Sequence, residues 1–146
     1  MTRRYASLPL FAAGLTAHLV LGKWALATLE PTPATLEGGK AGLLSLALRF
    51  NRGVAFSFLR SSPNMALLMS ISAILLLAAM HRILTDMRGS IAWPLLYAGA
   101  AGNIADRLTY GHVVDWLKVG PLTVNVADIL LCLGGVIFIL DLLRKR

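Results

Sequence analysis

Apolar residues are gathered into four long stretches along this chain, and shorter polar segments separate them. The stretches cover approximately residues 5–29, 64–84, 91–108 and 126–143. Each is close to the roughly 20 residues with which an α-helix crosses the hydrocarbon core of a bilayer. The pattern predicts an all-α polytopic membrane protein with four transmembrane helices, in which residues 1–146 form a single membrane-embedded domain.

The two longer polar segments are expected to be outer loops, over about residues 30–62 and 109–125. The first contains residues 43–50, an apolar run that is too short to span a bilayer and is followed by Asn51-Arg52-Gly53. Such a run is typical of short strands or of a segment lying along the membrane surface, so we expect a small extracytoplasmic β/loop element. In the second loop, Gly120-Pro121 predicts a turn that folds the chain back toward the last helix.

Composition supports a membrane protein and argues against a nucleic-acid-binding one. Apolar residues make up 57% of the chain and charged residues 14%, against about 45–50% and about 25% in soluble domains. The net charge of +7 comes from basic residues that stand mainly at the ends of apolar stretches, not in a stripe with interleaved aromatic residues. We therefore expect contacts with lipid headgroups and no nucleic acid. The single cysteine, Cys132, lies within an apolar stretch and is expected to be a small buried residue.

Basic residues also set the expected orientation in the membrane. Arg3 and Arg4 precede the first stretch, and Arg144-Lys145-Arg146 follow the last, all on short segments. Because lysine and arginine concentrate on short cytoplasmic segments, both termini are expected to be cytoplasmic. A basic start and the sequence Ala25-Leu26-Ala27 also occur in cleaved leaders, but this stretch is long for a leader and carries Lys23, so we expect a retained anchor.

Three carboxylates, Asp106, Asp115 and Asp128, fall between the third and fourth stretches, near the outer face of the membrane. Carboxylates at that depth are costly and are candidates for function. Taken singly, Asp128 could cap the last helix and Asp115 could be an interfacial charge. If the turn at Gly120-Pro121 brings these two together, they share one proton, and one can activate a water while the other hydrogen-bonds a substrate carbonyl. That is the chemistry of an aspartyl protease, which uses no metal or cofactor.

Residues 99–107 combine small side chains with strongly polar ones. The small residues allow neighbouring helices to approach closely in lipid. Asn103, Asp106 and Arg107 must find partners there. We expect Asp106 to pair with Arg107 or another base, and Arg107 could also direct donors at a substrate carbonyl or a lipid phosphate. The histidines form no cluster along the chain that predicts a metal site.

Four short motifs together resemble the ordered motif set of the signal peptidase II family. They are NRGVAFS at residues 51–57, GNIADR at residues 102–107, GHVVDW at residues 111–116 and NVAD at residues 125–128. Each motif is weak evidence by itself, but four in the right order and at matching places in the topology are specific. The resemblance covers about the whole chain.

The resemblance implies an intramembrane aspartyl endopeptidase of the bacterial inner membrane, with its active site near the outer face. It implies that Asp115 and Asp128 are the catalytic dyad. The residues expected to bind substrate are Asn51, Gly53, Asn103, Asp106, Arg107 and Asn125. The substrates would be prolipoproteins, cut just before a diacylglyceryl-modified cysteine, and the other partners would be membrane lipids. We expect a monomer without cofactor or metal.

The chain departs from the family pattern in its first stretch. Family members usually carry an acidic residue four positions before the lysine, whereas here Leu19 stands before Lys23, with His18 beside it. His18 is expected to be a hydrogen-bonded core residue, and Lys23 either extends to the interface or belongs to the site. Ile129 stands where family members often have a small hydroxyl residue after the aspartate. A catalytically silent or retargeted relative that binds lipoproteins or lipids as a membrane scaffold therefore stays open, whereas a transporter would spread its polar groups through the spans.

Overall fold

Four helices dominate the computed structural model, which describes residues 7–31, 44–53 and 63–144. The helices are α1 (Ser7–Thr28), α2 (Pro63–Ile83), α3 (Ala92–Tyr110) and α4 (Val126–Arg144), and a short 3-10 helix at Thr85–Met87 follows α2. Each of the four ends within two residues of the limits expected from the apolar stretches. The protein is therefore mostly helical, as predicted.

Three of these helices, α1, α2 and α4, are long and apolar enough to cross a membrane. Within the described ranges α3 does not reach that hydropathy, because Asn103, Asp106 and Arg107 interrupt it. The helix packs against α1, α2 and α4, and most of its first two turns are buried. Of its polar residues, Asp106 is buried and Asn103 and Arg107 are half-buried. The membrane span of α3 stays a prediction.

Close contact between α3 and α4 depends on glycines. A Cβ placed on Gly99 would lie 2.6 Å from the backbone oxygen of Ala127, and one on Gly134 would lie 2.9 Å from Cγ of Leu96. Neither position tolerates a larger residue without a shift of backbone or core. The small residues thus bring the first turn of α4, which contains Asp128, directly against α3.

A three-stranded antiparallel sheet lies at the end of the bundle where α1 and α3 end and α4 begins. Its strands are β1 (Leu44–Asn51), β2 (Val113–Val119) and β3 (Leu122–Val124), in the order β1-β2-β3. The apolar run before Asn51 is thus a strand. The expected turn joins β2 to β3, where Gly120 adopts a positive φ of 56°. The segment expected to be the second outer loop is therefore a hairpin, which the sequence indicated only through its turn.

A shift of register in the sheet decides which side chains share a face. The shift is one residue and falls between Leu46 and Arg49 of β1, as in a β-bulge. Beyond it, Arg49 stands opposite Asp115 and Asn51 stands opposite Val113. Because side chains alternate between the faces of a strand, the shift places Asn51 on the same face as Asp115. An unshifted ladder would have placed them on opposite faces.

Two clusters hold the ends of the bundle. At the sheet, Val114 is fully buried against Ala25 and Leu48. At the other end, Trp93 stacks on His81 with ring centres 4.5 Å apart. The second cluster, which we name the aromatic end, consists of Trp93, His81, Tyr97 and Phe138.

Candidate active site

The first turn of α4 carries a reciprocal cap built from Asn125 and Asp128. The backbone N–H of Asp128 donates to Asn125 Oδ1 at 3.0 Å, and the N–H of Asn125 donates to Asp128 Oδ2 at 3.4 Å. This is the arrangement of a capping box, in which two side chains satisfy helix N–H groups that have no partner in the helix. The capping role considered for Asp128 is therefore present, and it leaves Asp128 Oδ1 for other contacts.

Asp115 on β2 is buried, with 3% of its surface exposed, and amides surround its carboxylate. Asn125 Nδ2 donates to Oδ1 at 2.7 Å, and Asn51 Nδ2 donates to Oδ2 at 3.1 Å. The pKa of Asp115 is raised to about 7, first because burial disfavours the charged form and second because the charge of Asp128 is near. The two amide hydrogen bonds oppose that rise. This carboxyl group can therefore hold a proton near neutral pH.

Two asparagines link the carboxylates of Asp115 and Asp128. Asn125 Nδ2 also donates to Asn103 Oδ1 at 3.2 Å, and Asn103 Nδ2 donates to Asp128 Oδ1 at 3.0 Å. Asn125 is completely buried, so the N–H groups of its side chain must hydrogen-bond to protein atoms. The two aspartates expected from the sequence to meet are thus joined through one hydrogen-bonded network.

Arg107 fastens the end of β1 to α3. Its Nη2 donates to the backbone oxygen of Gly53 at 2.7 Å, and its Nη1 donates to the backbone oxygen of Asn103 at 3.2 Å. The N–H of Gly53 in turn donates to Asn51 Oδ1 at 3.0 Å. The side chain of Asn51 is therefore oriented from one side by Gly53 and from the other by Asp115.

Asp106 lies beneath the sheet and contacts a different set of groups. Its Oδ2 accepts a hydrogen bond from the N–H of Val114 at 3.0 Å, and its Oδ1 lies 3.2 Å from Nε2 of His18. The base beside it is thus His18, which is buried as expected. Lys23 is exposed on α1. These contacts are those of a residue that positions β2, and the expected role of Asp106 in substrate binding stays a prediction.

A cavity of about 770 Å³ opens between the sheet and α2, α3 and α4. Its polar lining consists chiefly of Asn51, Gly53, Asn103, Arg107, Asp115 and Asp128. Its apolar lining includes Met69, Ala73, Leu77, Ala100, Leu131 and Cys132. Four of the expected substrate-binding residues and both aspartates therefore line one space. Among the described residues, Asn125 and Asp106 do not line the cavity, and they contact Asp115 and Val114 instead.

Some residues of the cavity were not anticipated. Arg49 and Phe50 line it, and their position directly before Asn51 is the only signal that the sequence offers. Ala73 on α2 also lines it, but the sequence of α2 is apolar on all sides and so does not show which face borders the cavity. Cys132 was expected to be buried, which is wrong: it is exposed and lines the cavity, because it lies one turn beyond Asp128 on the same face of α4. No group of three metal-ligating side chains occurs in the part of the chain that the structure describes.

Comparison with known proteins gives one consistent result. The family model described as signal peptidase (SPase) II matches residues 11–144. The lipoprotein signal peptidase of Ralstonia nicotianae is 36% identical over 115 residues, which are 71% of this chain and 66% of that protein. The enzyme of the same name from Geobacter sulfurreducens is 35% identical over 115 residues, 72% of each chain. That from Caldicellulosiruptor bescii is 36% identical over 116 residues, 79% of this chain and 75% of its own. The matched part thus spans about two thirds to three quarters of these relatives.

Two solved structures, both described as bacterial membrane enzymes, share the fold. The first superposes with a TM-score of 0.79 at 22% identity and covers 96% of this chain and 88% of its own. The second gives a TM-score of 0.76 at 22% identity and covers 97% of this chain and 94% of its own. At that identity the likeness shows the arrangement of helices and sheet, and the chemistry has to be argued from the residues.

Proposed function

This chain belongs to the signal peptidase II family, and from that membership and the geometry of the cavity we propose that it is an aspartic endopeptidase which removes signal peptides from diacylglyceryl-modified prolipoproteins. The observation that carries the proposal is the pair of carboxylates. Asp115 and Asp128 line the same cavity and are joined through Asn125 and Asn103. One of them, Asp115, has a pKa raised to about 7.

The unequal surroundings of the two carboxylates assign their roles. Asp115 is buried and retains a proton near neutral pH, so it donates a hydrogen bond to the carbonyl oxygen of the scissile peptide. Asp128 lies in the first turn of α4, where the helix dipole favours a negative charge, and it acts as general base on a water.

Hydrolysis then proceeds in two steps. Asp128 takes a proton from water as the water oxygen attacks the carbonyl carbon, while the proton of Asp115 passes to the carbonyl oxygen. The tetrahedral intermediate collapses as the C–N bond breaks and its nitrogen takes the proton from Asp128, while a hydroxyl proton of the intermediate returns to Asp115. The products are a carboxylic acid on the signal peptide and an amine on the lipid-modified cysteine.

The cavity supports a substrate that approaches from the bilayer. Its polar lining is concentrated at the sheet, and its apolar lining continues between α2 and α4 along Ala73, Leu77 and Leu131. The scissile peptide would lie at the polar end, and the apolar parts of the substrate would remain against the helices. We place this end at the outer face of the inner membrane, with both termini cytoplasmic, because the basic residues flank the opposite ends of α1 and α4.

The test is cleavage of a synthetic peptide that carries a diacylglyceryl cysteine by the purified protein in lipid nanodiscs. Mass spectrometry is expected to find one cut, on the N-terminal side of the modified cysteine. Asp115→Asn and Asp128→Asn should each lower kcat by several orders of magnitude, because the two groups act as a unit. Asp86→Asn is the matched control, since it removes an exposed carboxylate outside the cavity and should leave kcat unchanged.

Two outcomes would contradict the proposal. Binding of the lipopeptide without any cut would favour the scaffold that the sequence left open. Full turnover by Asp115→Asn or Asp128→Asn would remove that residue from the mechanism.

A further inference from the structure

His18 is a buried polar residue in an otherwise apolar helix. Its exposure is 1%, and α1 contains no acidic residue that could partner it. Its Nε2 lies 3.2 Å from Asp106 Oδ1, a close polar contact without the alignment of a hydrogen bond. A polar ring buried in this way costs free energy unless a partner offsets the cost. The carboxylate of Asp106, on α3, is the group placed to do so.

The position of the His18 ring is fixed by a gap in α3. A Cβ added to Gly102 would lie 2.8 Å from Cδ2 of His18 and 3.2 Å from Cβ of Ala127. The ring thus occupies space that only a glycine leaves open, directly beside the first turn of α4. The Nε2 atom of His18 faces Asp106 because the ring is held in this gap, and either a neutral ring protonated at Nε2 or a charged ring presents an N–H there.

The opposite oxygen of Asp106 connects this pair to the active site. Asp106 Oδ2 accepts the N–H of Val114, which is fully buried. Val114 precedes Asp115 on β2, so its backbone fixes where the Asp115 side chain points. The amides of Asn51 and Asn125 orient the carboxylate itself, whereas Asp106 holds the strand that carries it.

We propose that His18 is a positioning residue for Asp115, acting through Asp106 and the backbone of Val114. Its effect on the reaction rests on the proposed function, whereas its effect on the strand does not. His18 restrains Asp106, Asp106 restrains β2, and the carboxyl group of Asp115 is thereby kept within reach of Asp128. A supporting residue of this kind changes the rate of reaction more than it changes the affinity for substrate.

The experiment compares two substitutions that fill the same gap. His18→Leu keeps an apolar side chain there but removes the nitrogen, whereas His18→Gln keeps an N–H donor that can reach Asp106. We expect His18→Leu to lower kcat on the order of 100-fold with KM unchanged, since a displacement of about 1 Å at a catalytic group has that effect. His18→Gln is expected to recover most of the loss. Leu19→Ala is the control, because it alters the neighbouring position of α1, whose side chain is exposed.

A second readout is independent of turnover. Hydrogen–deuterium exchange of the segment that contains Val114 should become faster in His18→Leu than in the original protein, and should be restored in His18→Gln, while exchange in α2 stays unchanged. Equal exchange and equal kcat in all three proteins would overturn the positioning role. An equal loss of kcat in both variants, in step with a lower unfolding temperature, would also overturn it in favour of simple packing. If the original protein fails to cut the lipopeptide, the proposed function fails, and the exchange data still decide the role of His18.

Discussion

The two ends of α3 show how one helix serves two purposes. We name the part around Asn103, Asp106 and Arg107 the site end, and it lies opposite the aromatic end. At the site end Asn103 donates to Asp128 and Arg107 donates to the backbone oxygen of Gly53, and both side chains border a cavity of about 770 Å³. At the aromatic end Trp93 is 2% exposed and its indole N–H donates to the backbone oxygen of Met87 at 2.8 Å. One end is open and polar, and the other is closed and aromatic.

This difference explains the low hydropathy of α3. Two of the residues that lower it, Asn103 and Arg107, line the cavity. The aromatic end instead buries the large apolar ring of Trp93. The comparison leads to the expectation that changes at the site end alter activity and that changes at the aromatic end alter stability.

The largest effect is expected from the double substitution Asp115→Asn with Asp128→Asn. Because the proposed mechanism needs both carboxyl groups for the same step, removing the second should cost little beyond the loss of several orders of magnitude caused by the first. The measurement is kcat for the two single variants and the double variant on the lipopeptide. Losses that multiply would show two groups that act independently and would contradict the proposed dyad.

Trp93→Ala should have the opposite character. Removal of this ring from the aromatic end is expected to lower the free energy of unfolding by about 3–5 kcal/mol, the usual cost of truncating a buried aromatic residue to alanine. Activity per folded molecule should be retained, because Trp93 lies outside the residues that line the cavity. Unfolding in detergent, followed together with kcat, checks both. A loss of kcat at unchanged stability would contradict the division between the two ends.

The raised pKa of Asp115 should make stability depend on pH. Because this pKa is about 7 in the folded protein and near 3.8 in the unfolded chain, the unfolded state releases its proton first as the pH rises. The free energy of unfolding should therefore fall between about pH 4 and pH 7 and level off above, by a few kcal/mol at about 1.4 kcal/mol per pKa unit. Asp115→Asn should not show this fall in the free energy of unfolding, and it should be more stable than the original protein at pH 8.

The rate should depend on pH through the same group. Turnover is expected to decline as the pH rises through about 7, because Asp115 then loses the proton that the proposed mechanism requires. Stability and turnover measured from pH 4 to pH 9 test both statements. A stability that is independent of pH in this range would contradict the burial of Asp115 as the cause.

The smallest effect is expected from glycine-to-alanine substitutions, which distinguish a glycine in close helix contact from one with open space around it. Gly99→Ala should lower the free energy of unfolding by about 1–3 kcal/mol, because the new Cβ would lie 2.6 Å from the backbone oxygen of Ala127. It should also lower kcat, since Ala127 precedes Asp128. Gly135→Ala has open space around its new Cβ and should be neutral or slightly stabilising. Thermal unfolding of the two variants gives the answer, and equal effects would refute the close contact.

Much of the helical architecture could be predicted because the signal is local. An apolar stretch of about 20 residues forms a helix in lipid whatever its neighbours are, since every backbone group is satisfied within the segment. The turn at Gly120 was also local, because a positive φ of 56° suits glycine. The pairing of β1 with β2 and its one-residue shift were not predictable, because they depend on where two distant segments meet.

The sequence by itself determined the four helices, the turn and the identity of the residues available for chemistry, because residue type and spacing act within a few neighbouring residues. Only the tertiary structure decided which of them meet. The shift in β1 turned Asn51 toward Asp115, and the contact of Gly99 with α4 brought Asp128 against Asn103. The packing of the His18 ring against Gly102 placed its Nε2 beside the carboxylate of Asp106. These are contacts between separate elements, and their geometry is fixed by how closely backbones can approach rather than by the order of residues in any one segment.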